Sequence, residues 1–497
     1  MSTDRRTFIK FASGMLGGSL LAACGVQDGP VTDRPQDNPI QAPNAFRFHT
    51  LKQDGDALPG GHRIDSVRYD AVLSDNGVIA YSAFDEEGRV GLYRLQVDAQ
   101  GDEPRILDES VVLRELDPLD GGRATPVLGY DVAENGDVVV AHETLRWEDP
   151  IPVEELMESV EIHEHDVETV KRMPGSPNGD VVYRRDAAIY RAGARGEPEA
   201  IVRAGTVTDE GHVILGSFGP AIMRGHELLF TAAVEYAHPE RATRDVGSAV
   251  WYLDDARAGA QRAQIVQRAG ILPAAAFDTT QLGTSNVMRG FGLLDLQPGG
   301  RYGLQAFAGD PEERDEDTVT PQYAGNLLLA GDARRVGSAQ VLAASQRSGV
   351  TPTSSAESIG VADLASGPRL APDGTLGVVA QFGEASQRLY VGGRLFAASG
   401  DVTPSGRVIE SFLPPVFGPQ GETYVVAGSE DAMELLLFDG VSVRTLLATD
   451  DTLAGESTAI SMLTLGTLIR QVNRDGYLVF TVVLEDGTSA LVLGVPA

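Results

Sequence analysis

From Ala45 onward, short apolar runs alternate with polar turns that contain glycine. Eight such turns precede strands rich in β-branched and aromatic residues, with glycines at positions 77, 136, 179, 225, 300, 374, 421 and 476. Glycine after asparagine or aspartate between apolar runs is a strong hairpin signal, because glycine adopts positive φ at little cost. The runs show no sustained helical period, and residues 153–159 are the one helix candidate. Short strands recurring about every 50 residues predict an all-β fold, a β-propeller.

The spacing of the turns predicts eight four-stranded blades. Merging the weakly formed second and third units, which follow Gly136 and Gly179, gives seven blades as the alternative.

The two ends of the repeat region complement each other. The last unit, residues 468–495, lacks an outer strand, whereas residues 46–60 have the pattern of an outer strand followed by its turn. This first segment parallels residues 443–455, with Asp56, Leu58 and Gly60 matching Asp451, Leu453 and Gly455. Because an open ring exposes two sheet edges, we expect the N-terminal strand to join the C-terminal blade and close the ring. The alternative is a pair of unrelated edge strands in a β-solenoid.

The first residues predict an export signal. Arg5, Arg6, Phe8 and Lys10 resemble a twin-arginine motif. The apolar stretch from 11 to 23 is shorter than the about 20 residues that a membrane-spanning helix needs. It ends in LAAC, which resembles a lipoprotein box and implies lipid attachment at Cys24; the alternative is an ordinary buried cysteine. We therefore expect a signal peptide at 1–23, a lipid-anchored flexible tether at 24–45 and a single propeller domain at 46–497.

Composition excludes several classes of function. Lys and Arg total 40 against 71 Asp and Glu, for a net charge of −31, which argues against a nucleic-acid partner. The single cysteine excludes a disulfide framework, an iron–sulfur cluster and a cysteine-based zinc site.

The chain carries no recognisable catalytic motif. It contains neither a G-x-S-x-G elbow nor a phosphate-binding glycine loop, so we predict no catalytic residue and no cofactor. His163 and His165 are weak metal candidates, because alternate residues of a strand face the same way; a solvated acidic loop is the alternative. The acidic run 310–317 is interpreted as a solvated insertion, and the turn aspartates Asp75, Asp373 and Asp475 are interpreted as turn formers.

The other candidate side chains have structural interpretations. His62 and His212 follow equivalent outer-strand turns, which indicates a repeat position rather than a site. Trp147 and Trp251 are interpreted as core or loop anchors rather than as sugar platforms.

Two phrases near the C-terminus carry a family resemblance. NRDGYLVFT at 473–481 and GTSALVL at 487–493 resemble bacterial exported tandem-repeat proteins with an N-x-x-G-x-x-x-F core, and residues 74–95 are similar. That family is largely uncharacterised, and the resemblance implies an exported propeller without an assigned activity.

The expected function is binding or scaffolding at the cell envelope. We expect a lipoprotein held to the membrane by its N-terminal lipid, at the outer membrane or periplasmic face in a Gram-negative cell. Its partner would be an envelope protein or a carbohydrate, bound at a ring mouth lined by the insertions 146–172, 236–248 and 309–322. The alternative is a hydrolase or lyase acting on a polysaccharide or lactone, with carboxylates or histidines at the channel mouth.

Overall fold

The computed structural model describes residues 42–101, 103–125, 129–152, 181–193, 197–236, 245–269, 287–309, 325–345, 359–361, 363–364, 366–382, 386–466 and 470–497. These residues form seven β-sheets, which are the blades of a β-propeller, and a single 3₁₀ turn at Ala260–Arg262. Within the described part of the chain, no helix is both long enough and apolar enough to cross a bilayer.

The strands follow one another blade by blade. The first blade holds β2 (Ile64–Leu73), β3 (Val78–Asp85), β4 (Val90–Asp98) and β5 (Arg105–Arg114). The second holds β6 (Pro118–Leu119), β7 (Gly122–Ala124), β8 (Tyr130–Val132), β9 (Val138–Pro152), β10 (Val181–Ala192) and β11 (Glu199–Arg203). The third holds β12 (Thr206–Val207), β13 (Val213–Gly216), β14 (Ala221–Arg224), β15 (Glu227–Tyr236), β16 (Asp245–Leu253) and β17 (Gln264–Arg268). The fourth holds β18 (Val287–Gln297), β19 (Arg301–Gly309), β20 (Gly325–Asp332), β21 (Gln340–Ser345) and β22 (Ile359–Val361).

The last three blades complete the ring. The fifth holds β23 (Asp363–Leu364), β24 (Arg369–Leu370), β25 (Leu376–Phe382), β26 (Ser386–Val391) and β27 (Arg394–Ala398). The sixth holds β28 (Ser411–Phe412), β29 (Val416–Phe417), β30 (Thr423–Ser429), β31 (Ala432–Phe438) and β32 (Val443–Ala448). The seventh holds β33 (Ile460–Thr464), β34 (Leu478–Leu484) and β35 (Ser489–Pro496), and its outer strand is β1 (Phe46–Gln53).

The hydrophobic core lies between the blades. Each apolar cluster joins one blade to the next, and one of them joins the seventh blade back to the first. Strand β3 illustrates why its sequence is almost wholly apolar: Ile79 and Tyr81 pack toward the seventh blade, while Val78 and Ala80 pack toward the second. Since successive side chains of a strand point to opposite faces, a sheet with a blade on either side must be apolar on both.

The N-terminal strand closes the ring, as the sequence predicts. β1 pairs antiparallel with β35, placing Phe46 opposite Pro496, and the Phe48 ring meets Phe480 edge to face at 5.8 Å. The predicted match between the two outer-strand turns is confirmed as well. Asp56 accepts a hydrogen bond from the Gln53 N–H at 2.9 Å, and Asp451 accepts one from the Ala448 N–H at 2.8 Å.

The preferred count of eight blades is corrected to the alternative of seven. β9, which follows the Gly136 turn, pairs directly with β10, which begins just after Gly179. The two units are therefore the second and third strands of one blade. Gly179 itself and the helix candidate 153–159 lie outside the described residues.

We call the turn that follows the innermost strand of each blade its inner turn. In the first blade this turn joins β2 to β3, and it shows why the repeat requires glycine. Gly77 has φ +79°, and a Cβ there would lie 2.6 Å from the carbonyl oxygen of Val97. A side chain would be both conformationally strained and in steric conflict with backbone.

Candidate functional site

The turns that follow the inner strands of all seven blades surround a cavity of about 320 Å³ at one end of the central channel. We call it the inner-turn cavity. Its charged and amide-bearing lining residues are Asp75, Glu134, Arg224, Asp295, Gln297, Arg369, Arg470, Asn473 and Arg474. Its apolar lining residues are Pro298, Leu370, Pro372, Val416, Phe417, Pro419 and Val472, with Gly418 completing the wall.

Three charged residues occupy the same register position in different blades. Asp131 lies opposite Val139, Asp295 opposite Gly303, and Arg369 opposite Gly377, in each case two residues before the inner turn begins. The repeat therefore brings these side chains to one level of the channel. All three are almost wholly buried, with 4%, 1% and 2% of their surface exposed, respectively.

Asp131 ties the second blade to the third. Its Oδ2 accepts a hydrogen bond from the Met223 N–H at 3.2 Å and lies 2.5 Å from Arg224 Nη1. Burial alone would lower the pKa of Arg224, but the carboxylates of Asp131 and Glu134 outweigh it and raise that pKa. The pair is thus a buried, hydrogen-bonded ion pair between blades.

Arg470 ties the seventh blade to the first and second. One Nη lies 3.0 Å from Glu134 Oε1 and the other lies 3.2 Å from Asp75 Oδ2. Burial alone would raise the pKa of Glu134, but Arg470, Arg224 and the Gly225 N–H hold it below its usual value. The other oxygen of Asp75 accepts from the Arg474 N–H at 3.0 Å, so its carboxylate binds the seventh blade rather than its own turn, whereas Asp373 accepts locally from the Thr375 N–H at 2.8 Å.

Asp295 accepts a hydrogen bond from a backbone N–H of the next blade, as Asp131 does, but it forms no hydrogen-bonded ion pair with an arginine. Its Oδ2 accepts from the Leu370 N–H at 2.6 Å, as Asp131 does from Met223. The residue after Leu370 is Ala371, where the third blade has Arg224 after Met223. Asp295 Oδ1 consequently has no hydrogen-bond partner within the described chain, and burial raises the pKa of Asp295 to about 6.

Arg369 crosses from the fifth blade to the seventh. Its Nη2 donates to the Gly466 carbonyl at 2.8 Å and its Nη1 to the Pro368 carbonyl at 3.2 Å. Its Nε has no partner among the described residues, and burial lowers the pKa of Arg369 to about 10. The guanidinium is thus held in place by carbonyls, while its charge is not matched by a hydrogen-bonded carboxylate.

Of the charged cavity residues, the sequence pattern indicates only Asp75, and it indicates a turn former rather than a site residue. The available signal was a charged side chain inside an apolar inner strand, two residues before a glycine turn, as at Asp131 and Asp295. The predicted signal residues Arg5, Arg6, Phe8 and Lys10, the lipid site Cys24, the weak metal candidates His163 and His165, and the acidic run 310–317 lie outside the described residues.

Each long insertion lies between two strands of one blade, and the strand ends that it connects lie on the side of the ring opposite the cavity. β9 runs from the inner turn to Pro152, and β10 returns from Val181, so that residues 153–180 connect the opposite ends of these strands. The connections between β15 and β16 and between β19 and β20 leave from the same opposite side. The mouth predicted to be lined by these insertions and the inner-turn cavity are therefore on opposite sides of the ring.

The histidine and tryptophan interpretations agree with the structure where it describes them. The His62 and His212 carbonyls accept the same turn bond, from the Leu58 and Thr208 N–H groups at 2.8 Å. Trp251 is fully buried and stacks on Phe230 at 6.3 Å. Trp147 lies in β9, and its side chain is outside the described part of the structure.

One cluster outside the cavity has metal-ligand geometry. Ligand atoms of His62, Asp85 and Glu87 lie within 4.8 Å of one another. However, the Arg114 guanidinium lies 3.3 Å from Asp85 Oδ2 and 3.4 Å from Glu87 Oε2. It therefore balances the negative charge of both carboxylates in the place where a metal ion would do so. We interpret this cluster as an ion-pair network.

Comparisons with known proteins find similar solved structures but no family. It matches no known protein family and no curated protein. Among solved structures it is similar to the acylaminoacyl peptidase of Pyrococcus horikoshii (TM-score 0.40, 13% identity), over 80% of this chain and 47% of that one. It therefore spans about half the length of the peptidase. It is also similar to BBS1N in complex with ARL6DN, in crystals soaked with lead (TM-score 0.32, 11% identity) and with mercury (TM-score 0.33, 9% identity), each over 90% of this chain and 97% of the other. At these scores the similarities carry no argument about function.

Proposed function

We propose that the protein is an exported, lipid-anchored propeller that acts as a binding module at the cell envelope, with its ligand in the inner-turn cavity. The observation that carries the ligand site is a pair of buried polar atoms, Asp295 Oδ1 and Arg369 Nε, that have no partner among the described residues and belong to cavity-lining side chains. Leaving a buried donor or acceptor unpaired costs about 1–3 kcal/mol. A ligand that pairs with both atoms recovers that free energy on binding.

The rest of the cavity suits binding. The ion pairs of Arg224 and Arg470 connect neighbouring blades and hold the walls in place. A site on a rigid scaffold loses little conformational entropy when a ligand binds, so that more of the contact energy appears as affinity.

The anchoring part of the proposal rests on the residue pattern that ends at Cys24. The described chain enters the propeller on the cavity side. Phe46 pairs with Pro496, and a Cβ on Gly476, in the seventh inner turn, would lie 3.7 Å from Pro43. With a lipid on Cys24, the tether holds the ring from the side on which the cavity lies.

A hydrolase or lyase is the second candidate, and one observation favours it. A carboxyl group whose pKa is about 6, as for Asp295, can exchange a proton near neutral pH. The other two carboxylates of the described lining, Asp75 and Glu134, are both ion-paired with Arg470, so neither is free to serve as a nucleophile or second proton carrier. The lining therefore supports binding more than catalysis.

Affinity selection tests the proposed site. The purified full chain is incubated with the small-molecule fraction of the envelope, and the retained masses are compared with those retained by the variants Arg369→Met and Arg335→Met. Arg335, with 82% of its side chain exposed, is the matched control. We expect at least one mass that the wild type and Arg335→Met retain and Arg369→Met loses. Identical retention by all three proteins would overturn the site.

A further inference from the structure

The charge of the inner-turn cavity differs from that of the whole chain. The protein has 71 acidic against 40 basic residues. In contrast, the cavity is lined by four arginines, Arg224, Arg369, Arg470 and Arg474, and by three carboxylates. Together with Asp131, which pairs with Arg224, the carboxylates balance the arginines, so this opening lacks the acidic surplus with which the rest of the protein repels an anion.

Two of these arginines are available to a ligand. Arg224 and Arg470 are already paired with carboxylates. Arg369 bonds only to carbonyls and keeps a free Nε, and the exposed side chain of Arg474 makes no hydrogen bond or ion pair within the described chain. Guanidinium groups bind carboxylates through paired, charge-assisted hydrogen bonds.

The same cavity presents an acceptor. Asp295 Oδ1 is buried and has no partner among the described residues, so it can accept a hydrogen bond from a hydroxyl group. A ligand that carried only an anionic group would leave this oxygen unpaired. A neutral polyol would give the Arg369 guanidinium no hydrogen-bonded carboxylate.

We propose that the inner-turn cavity binds a small hydroxylated carboxylate of the sugar-acid type, with its carboxylate on Arg369 and Arg474 and a hydroxyl group on Asp295. This inference rests on the proposed function and specifies the ligand of that site. The cavity of about 320 Å³ lies at the lower end of the range for ligand pockets, which suits a single sugar unit. Val416, Phe417 and Pro419 offer apolar surface to the carbon skeleton of such a ligand.

Isothermal titration calorimetry with the full chain tests the inference. The panel is glucuronate and galacturonate as hydroxylated carboxylates, acetate as a carboxylate without hydroxyl groups, glucose as a neutral polyol, and an oligogalacturonate. We expect binding of at least one of the two uronates and no measurable binding of acetate or glucose. The oligogalacturonate shows whether the natural ligand is the end of a polysaccharide or a free sugar acid. Tighter binding of the oligomer than of the monomer indicates a polysaccharide end, and weaker binding indicates a free sugar acid.

Variants identify the contacts. Removing one charge-assisted hydrogen bond should weaken uronate binding at least about 10-fold, and we expect this for Arg369→Met. We expect a weaker loss for Arg474→Met, which removes only an exposed side chain and leaves the fold unaffected. Asp295→Asn should also reduce affinity, because its amide oxygen can keep the hydrogen bond from the Leu370 N–H only by placing an NH₂ donor where the acceptor Oδ1 stood.

The outcomes separate this inference from the proposed function. Equal binding of acetate or glucose, or uronate binding unchanged in both arginine variants, would overturn the ligand class. Failure of the whole panel, combined with an Arg369-dependent mass in the affinity selection, would also overturn the ligand class but leave the binding site standing. Failure of both experiments would overturn the proposed function itself.

Discussion

Asp131 Oδ2 lies 2.5 Å from Arg224 Nη1, across the boundary between the second and third blades. At this level of the channel, the Asp131 carboxylate binds both the N–H of Met223 in the next blade and the guanidinium of the residue that follows it. Asp295 makes the same N–H contact two blades further on, where the chain has Ala371 in place of the arginine. The candidate site is therefore a position where the carboxylate keeps the backbone contact of Asp131 but has no hydrogen-bonded arginine.

The first prediction concerns the complete pair. Arg224→Met should lower the free energy of unfolding by about 3–5 kcal/mol, because it leaves the Asp131 carboxylate buried and uncompensated. Adding Asp131→Leu to that variant should recover part of the loss, since the double variant buries no charge. Urea unfolding of the two single variants and the double variant measures the coupling.

Arg335→Met is the control for the removal of an arginine, because that side chain is 82% exposed. An Arg224→Met variant as stable as this control would show that the interblade ion pair does not stabilise the ring.

The second prediction concerns the pH dependence that Asp295 imposes. Its pKa is raised from 3.8 to about 6 in the folded protein, mainly by burial. Between these values the folded state holds more protons on this group than the unfolded state, so its contribution to stability is full below pH 4 and is lost as pH rises through 6. Two pKa units correspond to about 3 kcal/mol.

Asp295→Asn isolates this contribution, because the amide does not titrate. Relative to the wild type, the variant should gain up to about 3 kcal/mol of stability between pH 4 and pH 8. The measurement is the difference in free energy of unfolding between the two proteins at several pH values without added ligand. A difference that is constant with pH would contradict the raised pKa.

The sequence predicts the scaffold better than it predicts the site. Glycine turns and apolar strands are local signals, and they predict the propeller and the closing role of residues 46–53. The sequence predicts one blade too many because Gly136 and Gly179 both precede strands, and only the pairing of β9 with β10 shows that these strands share a blade. The cavity depends on which inner turns face one another across the ring. Nothing local in the sequence shows that Asp131 is hydrogen-bonded to an arginine whereas Asp295 is not.

The third prediction tests the turn chemistry. Gly77→Ala should destabilise the protein by about 1–3 kcal/mol, because an L-residue at φ +79° is strained and its Cβ would lie 2.6 Å from the Val97 carbonyl oxygen. Gly88 is a matched control in the next hairpin of the same blade, with φ +77° and no atom within 4 Å of a Cβ.

Gly88→Ala should therefore show only the conformational cost of a positive φ. Thermal or urea unfolding of the two variants compares them directly. Equal destabilisation would mean that the close approach of Val97 adds nothing to the requirement for glycine.

The fourth prediction tests ring closure with two truncations. A chain of residues 42–497 keeps β1, whereas a chain of residues 54–497 lacks it and exposes the edge of β35. The shorter chain should lose more than about 3 kcal/mol of stability, since it loses the burial of Leu51 and Phe48, and its open edge should promote aggregation. Size-exclusion chromatography and thermal unfolding of both chains provide the comparison. Identical behaviour would show that β1 is dispensable for closure.

The fifth prediction concerns the anchor. If Cys24 carries a lipid, Cys24→Ala should move the protein from the membrane to the soluble fraction of the envelope, because the substitution removes the thiol to which the lipid is attached. Globomycin, which blocks lipoprotein signal cleavage, should leave the wild type as an uncleaved precursor. Replacing Arg5 and Arg6 with lysines separates export from anchoring, since it should retain the chain in the cytoplasm whether or not Cys24 is present. Membrane association that survives Cys24→Ala would refute lipid anchoring, while cytoplasmic retention of the wild type would refute export altogether.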